Sequence, residues 1–221
     1  MQLRKPLGWM VFVLFIAQIA MAQQLSLKGL PGELTWRNTP VASHIEDGEK
    51  LTILSGKKTD WFVDPFDGTV AKTAPILSFI PAGDYVLSAK VEVEFHTKWD
   101  AGALMLWGDD HHWAQLSFEM SPEGQPTMVT VVTRGVSDDC NSIPIPGNAV
   151  YLQIAKSGIA YVYYASTNGR DWKILRTFSM DTRSPLSVGF ESQSPAGEGS
   201  KAVFSEINYA ARRIANIYTG K

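Results

Sequence analysis

Apolar and polar residues alternate along much of this chain, and the longest such run covers Tyr85–Phe95. Successive side chains of a β-strand point to opposite faces, so this period of two predicts a strand with one buried face. A strand of this length is expected to belong to a large sheet. The predicted inward residues are Leu87, Ala89, Val91, Val93 and Phe95, and the predicted outward residues are Ser88, Lys90, Glu92 and Glu94.

A second pattern predicts a β-hairpin over Trp99–Glu119. Ala103–Trp107 is apolar throughout, which is typical of a strand covered on both faces, and residues 108–112 are the Gly, Asp and His of a turn. The return run alternates again and therefore has two different faces. One face holds Ala114, Leu116, Phe118 and Met120, and the other holds Trp113, Gln115, Ser117 and Glu119.

Short runs of the same kind recur along the chain, separated by Gly, Pro, Asn and Asp, while helical periodicity is nearly absent. About a dozen strands are too many for one open sheet, so we expect an antiparallel β-sandwich of two sheets, of jelly-roll type. Residues 210–221 are expected to form a short helix or a frayed tail. The further predicted strands are Leu34–Arg37, Lys50–Leu54, Ile76–Ile80, Thr127–Thr133, Val150–Lys156, Ile159–Ser166, Lys173–Phe178, Leu186–Glu191 and Ala202–Ile207.

Residues 1–22 are predicted to be a cleaved export signal. Arg4 and Lys5 precede an apolar run, which ends in small residues before Gln23. The run is shorter than the roughly 20 residues that cross a bilayer, so we expect no membrane anchor after cleavage. Residues 23–209 are then one exported sandwich domain, periplasmic or secreted.

Charge and cysteine content exclude several classes of protein. The formal net charge is −2, and loss of Arg4 and Lys5 makes it −4, with 18 basic against 22 acidic residues. A chain without a basic excess is not expected to bind nucleic acid. Cys140 is the only cysteine, so no internal disulfide forms; beside two aspartates it is expected to be an inert thiol in a loop.

Ten short segments, taken in order, resemble the YesU-like family of domains of unknown function, which includes the fungal "regulation of enolase" protein. This resemblance implies the sandwich of the concanavalin A-like lectin/glucanase superfamily, and it carries no established catalytic residue or substrate. The segments are Thr59–Phe62, Ala74–Leu77, Gly83–Tyr85, Trp99–Met105, His112–Gln115, Val131–Gly135, Ser137–Asp139, Ser166–Trp172, Val188–Phe190 and Gln193–Pro195.

The face of Trp113, Gln115 and Glu119 is the leading candidate for ligand binding. Sugars need a flat apolar platform together with hydrogen-bond partners, and this face offers both. Trp107 and Asp100 are added as candidate ligand-binding residues. The alternative is that the tryptophans fill the core or cover the edges of the sheets.

Paired carboxylates are the candidates for catalysis. Glu92 and Glu94 share one face of a strand, as the two carboxylates of a glycosidase require, and Glu119 is a third candidate. A solvated strand face with alternating charge is the favoured explanation of Glu92 and Glu94, since the neighbouring outward positions are Lys90 and His96. Asp109, Asp110, His111 and His112 are metal-ligating residue types, but a polar hairpin tip accounts for them, so neither a metal nor another cofactor is expected.

Three functions remain open at this stage. The first is an exported, noncatalytic domain that binds carbohydrate or a glycan-bearing partner. The second is a glycoside hydrolase or polysaccharide lyase that uses the glutamates of a sheet face. The third is a structural or protein-interaction module.

Overall fold

The structure is a computed structural model that describes residues 25–182 and 185–221, so the expected export signal lies outside the described residues. Within these two ranges there are sixteen β-strands and no helix, and no segment is a helix long and apolar enough to cross a membrane. The strands are β1 (Thr35–Arg37), β2 (Ala42–Glu46), β3 (Lys50–Leu54), β4 (Trp61–Val63), β5 (Val70–Lys72), β6 (Ile76–Phe79), β7 (Tyr85–Glu94), β8 (Ala101–Asp109), β9 (His112–Met120), β10 (Pro126–Arg134), β11 (Val136–Pro144), β12 (Ala149–Ser157), β13 (Ala160–Ser166), β14 (Lys173–Ser179), β15 (Ser187–Gln193) and β16 (Lys201–Ala210).

Two seven-stranded antiparallel sheets form the predicted sandwich. Sheet A has the strand order β1-β6-β15-β8-β9-β10-β11, and sheet B has the order β14-β13-β12-β7-β16-β3-β2. Every strand expected from the sequence is present with similar bounds. The strands β2, β4, β5 and β11 were not predicted, and Cys140 is exposed on β11 rather than in a loop.

The core lies between the two sheets. On β7 the inner residues Leu87, Ala89, Val91 and Val93 are buried while Glu92 and Glu94 are exposed, which confirms the alternation predicted for this strand. On β9 the residues Ala114, Leu116 and Phe118 enter the same core. The opposite residues of β9 therefore lie on the outer face of sheet A.

The small hairpin β4–β5 covers part of that outer face. The rings of Trp61 and Trp113 pack edge to face with their centroids 5.4 Å apart, and Trp61 Nε1 donates a hydrogen bond to Ala74 O over 2.8 Å. The backbone N–H of Val63 donates to Ser137 Oγ on β11 over 2.9 Å. The hairpin thus crosses sheet A from the side of β15 towards β11.

The last residues of the chain are neither helical nor frayed, contrary to the expectation. Ile214 is buried with residues of the outer face of sheet B, and the Tyr164 hydroxyl donates to Ile217 O over 2.6 Å. Gln153 Nε2 donates to Gly220 O over 2.9 Å. The residues after β16 therefore pack against the outer face of sheet B as an irregular segment.

Candidate functional site

In the middle of the outer face of sheet A, small side chains of β8 lie between polar side chains of β15 on one side and of β9 on the other. The register places Glu191 of β15 opposite Ala103 of β8, and Ala103 opposite Ser117 of β9. In the next outward-facing row, Ala101 lies between Gln193 of β15 and Glu119 of β9. Because alanine does not fill the space between neighbouring strands, the longer polar side chains of β15 and β9 face one another across β8. We call this arrangement, together with Asp60, the acidic depression.

Asp60 brings a further carboxyl group to this place from outside the sheet. It directly precedes β4, and the adjacent Thr59 forms a β-bridge with Ser194 at the end of β15. The backbone N–H of Trp61 donates to Asp60 Oδ1 over 2.8 Å. The covering hairpin therefore fixes the position of this carboxyl group beside those of sheet A.

The amide of Gln193 joins two of the three carboxyl groups. One terminal atom of this amide lies 3.1 Å from Glu191 Oε1 and 3.3 Å from Asp60 Oδ1. With nitrogen in that position, the amide donates a hydrogen bond to both groups. Carboxyl groups from a loop and from a strand of sheet A are thus parts of one network.

Burial raises the pKa of all three carboxyl groups, and repulsion from neighbouring carboxyl groups adds to the rise for Glu119 and Glu191. Burial is the largest cause in each case: it raises the pKa of Asp60 to about 6, and that of Glu119 to about 8 with help from Asp60 and Asp139. Burial, then Asp60 and Glu119, raise the pKa of Glu191 well above its usual range. With a pKa of about 8, Glu119 is mostly protonated at neutral pH and can donate a hydrogen bond, and the raised pKa of Glu191 favours its protonated form in the same way.

Two polar atoms of the depression have no hydrogen-bond partner within the described residues. They are Ser117 Oγ and Glu191 Oε2, and both side chains are buried. Buried polar groups are nearly always satisfied, because an unmade hydrogen bond costs roughly 1–3 kcal/mol. Asp60 and Glu119, by contrast, are only partly buried, so a ligand reaches these two first.

The candidate residues of β8 and β9 have different surroundings. Gln115 and Glu119 lie on the outer face as predicted, next to and within the acidic depression. Trp113 is fully buried beneath Trp61, so its ring is not the exposed sugar platform expected from the sequence. Trp107 is half-buried, with the guanidinium carbon of Arg37 3.3 Å from its ring centroid.

Asp100 is a structural residue in this fold. Its Oδ2 accepts hydrogen bonds from the backbone N–H groups of His96 and Thr97, and its Oδ1 accepts one from Ser194 Oγ over 2.6 Å. The side chain is completely buried. Asp100 therefore fixes the loop between β7 and β8 and offers no free oxygen to a ligand.

Glu92 and Glu94 lie on the opposite sheet from the acidic depression. They project from the outer face of β7 in sheet B, where both are exposed and Glu94 is ion-paired with Lys201. Such a setting fits the solvated strand face that was the alternative to catalysis. Neither residue can act together with Glu119, since the core of the sandwich lies between them.

The hairpin tip between β8 and β9 is held by its own polar residues. His112 Nδ1 lies 2.8 Å from Asp109 Oδ1, and the same oxygen accepts a hydrogen bond from the backbone of His111. No three His, Cys, Asp or Glu side chains of residues 25–182 and 185–221 are arranged to hold a metal ion. The tip thus has the turn geometry expected from its sequence.

Sequence reasoning missed Asp60 and Glu191. Glu191 is the last residue of a predicted strand. The alternation of this strand, with apolar Val188 and Phe190 facing inward, predicts that Glu191 faces outward. Nothing local shows that β15 pairs with β8, about eighty residues earlier. Asp60 belongs to a segment in which no strand was predicted.

The raised carboxyl pKa values predict that the protein loses stability as pH increases. For Glu119 the unfolded carboxyl ionises near 4.5 and the folded one near 8, so the folded state holds its proton more tightly between these values. The free energy of unfolding should therefore fall from about pH 4.5 to about pH 8. Glu119→Gln should flatten this fall and raise the Tm at pH 8, as measured by thermal unfolding. Glu94→Gln is the control, and equal pH profiles for the parent and Glu119→Gln would contradict the assignment.

The fold and the arrangement of its sheets define the class of the protein: a concanavalin A-like β-sandwich. Within that class, residues 36–212 match the family described as "Protein of unknown function (DUF1349)", and the chain belongs to this family. "Regulation of enolase protein 1" of Saccharomyces cerevisiae is 26% identical over 179 residues, which cover 80% of this chain and 89% of the yeast protein. The resemblance inferred from the ten sequence segments is thereby confirmed.

Solved structures show the same fold. A functionally unknown protein from Saccharomyces cerevisiae has a TM-score of 0.74 at 24% identity, over 81% of this chain and 96% of that protein. Xylan β-1,4-xylosidase from Bacillus halodurans has a TM-score of 0.60 at 16% identity, over 74% of this chain and 33% of that enzyme. At these identities the similarity establishes the fold alone.

Proposed function

We propose that this protein binds carbohydrate at the acidic depression on the outer face of sheet A. The observation that carries the proposal is the grouping of Gln115, Ser117, Glu119, Glu191 and Gln193 with Asp60 on one face. Sugar hydroxyl groups both donate and accept hydrogen bonds, and this face holds amides, a hydroxyl and carboxyl groups that serve both directions. The unpartnered atoms of Ser117 and Glu191 add further capacity for such bonds.

An exposed aromatic ring lies at the same end of the sheet. Trp99 directly precedes Asp100 and β8, its backbone N–H donates to Met120 O over 2.6 Å, and 38% of its surface is exposed. A sugar ring stacks on an indole through its apolar C–H face. We propose Trp99 as the platform in place of Trp113, through the ring face opposite Lys98, whose Nζ lies 4.2 Å from the ring centroid.

The expected location supports this proposal. The first 22 residues have the composition of an export signal, and glycans are abundant outside the cytoplasm. The solved structure with a shared fold is named a xylan β-1,4-xylosidase, and its similarity to this chain concerns the fold alone. We therefore propose an exported, noncatalytic binding domain.

Binding should be measured by calorimetric titration of oligosaccharides selected on a glycan array. Trp99→Ala and Glu119→Ala are each expected to weaken binding roughly tenfold, because each removes a stacking or hydrogen-bonding contact of about 1.4 kcal/mol. Tyr218→Ala is the control: the Tyr218 side chain is exposed in the last residues of the sequence, and this variant should bind with the affinity of the parent. No binding of any glycan, or affinity equal to that of the parent in both Trp99→Ala and Glu119→Ala, would contradict the proposal.

Hydrolysis of a glycosidic bond is the second candidate function. The pKa of the partly accessible Glu119, raised to about 8, favours it because a protonated carboxyl group at neutral pH is a general acid. Release of reducing ends in the same incubations, abolished by Glu119→Gln, would establish this activity in place of binding alone.

A further inference from the structure

The acidic depression contains several carboxyl groups and no paired cation. Asp60, Glu119 and Glu191 are in mutual electrostatic contact, and Asp139 of β11 acts on Glu119 from the same face. None of these four carboxyl groups forms an ion pair with a Lys, Arg or His among the described residues. Elsewhere in the sandwich, acidic side chains such as Glu94 and Asp84 do have such partners.

Carboxyl groups without a counter-charge are unfavourable in a buried place. Each one either stays protonated or needs a positive charge nearby, since burial disfavours an isolated negative charge. A primary ammonium group supplies that charge together with three N–H donors and no acceptor. It therefore suits a site whose oxygen atoms outnumber its donors.

A second observation also points to a ligand. Ser117 Oγ is buried, lies in the register row of Glu191 and has no partner within the described residues. Its oxygen is a further acceptor beneath Asp60 and Glu119, the two partly accessible carboxyl groups. The side chains beneath these two carboxyl groups thus continue the same pattern of unsatisfied oxygen atoms.

We infer that the acidic depression binds the protonated amino group of an amino sugar, with Asp60 and Glu119 as the counter-charges. This inference rests on the proposed function, because it names the part of the glycan that enters the depression. The Gln193 amide, which donates to Glu191 and Asp60, holds these carboxyl groups in place beside the amino group. Charge-assisted hydrogen bonds to two carboxylates make the amino group the preferred substituent.

Three tetrasaccharides with the same β-1,4-glucan backbone test the inference. They carry at carbon 2 an amino group (glucosamine tetramer), an acetamido group (N-acetylglucosamine tetramer) or a hydroxyl group (cellotetraose). In calorimetric titrations of the full chain, we expect the amino form to bind at least roughly tenfold more tightly than the other two. The preference should decrease with added NaCl, because salt screens the ion pairs.

Variants and proton release separate this inference from the proposed function. Asp60→Asn and Glu119→Gln should each abolish the preference for the amino form, while Glu94→Gln on sheet B should retain it. Binding of a cation lowers the pKa of the carboxyl groups, so protons should be released and the enthalpy should depend on the buffer. Calcium chloride titrated alone is the control for binding of a simple cation.

The outcomes are distinct. Equal affinity for the three tetramers overturns the amino-group inference and leaves carbohydrate binding intact. No binding of the amino form also overturns the inference. The proposed function is then tested separately, by the binding of other glycans on the glycan array. Calcium binding that depends on Glu119 overturns the inference too, because the depression would then prefer a metal ion to an amine.

Discussion

Replacing Trp61 by alanine is expected to lower the free energy of unfolding by about 3–5 kcal/mol. Trp61 is 2% exposed, its ring packs on Trp113, and its Nε1 donates to Ala74 O. The substitution removes a large buried ring and leaves a cavity above Trp113. For a domain of this size the Tm should fall by roughly 6–20 °C.

Two measurements give this prediction a clear outcome. Trp99→Ala changes the same residue type at a 38% exposed position and should have a much smaller effect on the Tm. In Trp61→Ala the total tryptophan fluorescence should shift to longer wavelength, since the ring of Trp113 loses its cover. A loss of less than 1 kcal/mol would show that β4–β5 contributes little to stability and does not hold Asp60 in place.

Substitution of Gly189 by alanine is expected to cost about 3 kcal/mol or more. Gly189 lies in the centre of sheet A, between β6 and β8. A Cβ atom there would lie 2.0 Å from Leu77 O and 2.6 Å from Ser78 Cα, both of them backbone atoms of β6. Because backbone atoms of a central strand cannot move aside as a flexible side chain does, β15 must shift relative to β6.

A matched glycine tests this reason. At Gly56 a Cβ atom would meet only the side chains of Val41 and Thr59, at 3.4 Å and 3.9 Å, which is ordinary van der Waals distance. Chemical denaturation should therefore show Gly56→Ala close to the parent and Gly189→Ala strongly destabilised. Similar stability of the two variants would mean that β15 does not approach β6 as closely as the structure shows.

Regular alternation made the sandwich predictable. On β7 from Leu87 and on β9 from Ala114, apolar residues alternate with polar ones, so the inner and outer faces followed directly from the sequence. The hairpin of β8 and β9 was also found, because its turn residues separate an apolar run from an alternating one. The apolar pattern of β8 was explained by burial on both faces, and the structure confirms it.

The missed elements lack such a signal. β4 and β5 have three residues each, too few for a period to appear, and β11 is largely polar because it is an edge strand. Because no strand was predicted at β4, neither the burial of Trp113 nor the position of Asp60 could be inferred from the sequence. The pairing of β15 with β8 joins distant parts of the chain, so the meeting of Glu191 with Glu119 followed only from the structure.

The single exposed thiol on β11 has a practical consequence. Cys140 directly follows Asp139, whose carboxyl group acts on Glu119. Since the sequence contains no other cysteine, one maleimide dye can label this position without mutagenesis. The register places Cys140 in the row of Thr130 and Leu116, on the opposite face of the sheet from Asp139, so a fluorophore there would mark the edge of sheet A without occupying the acidic depression.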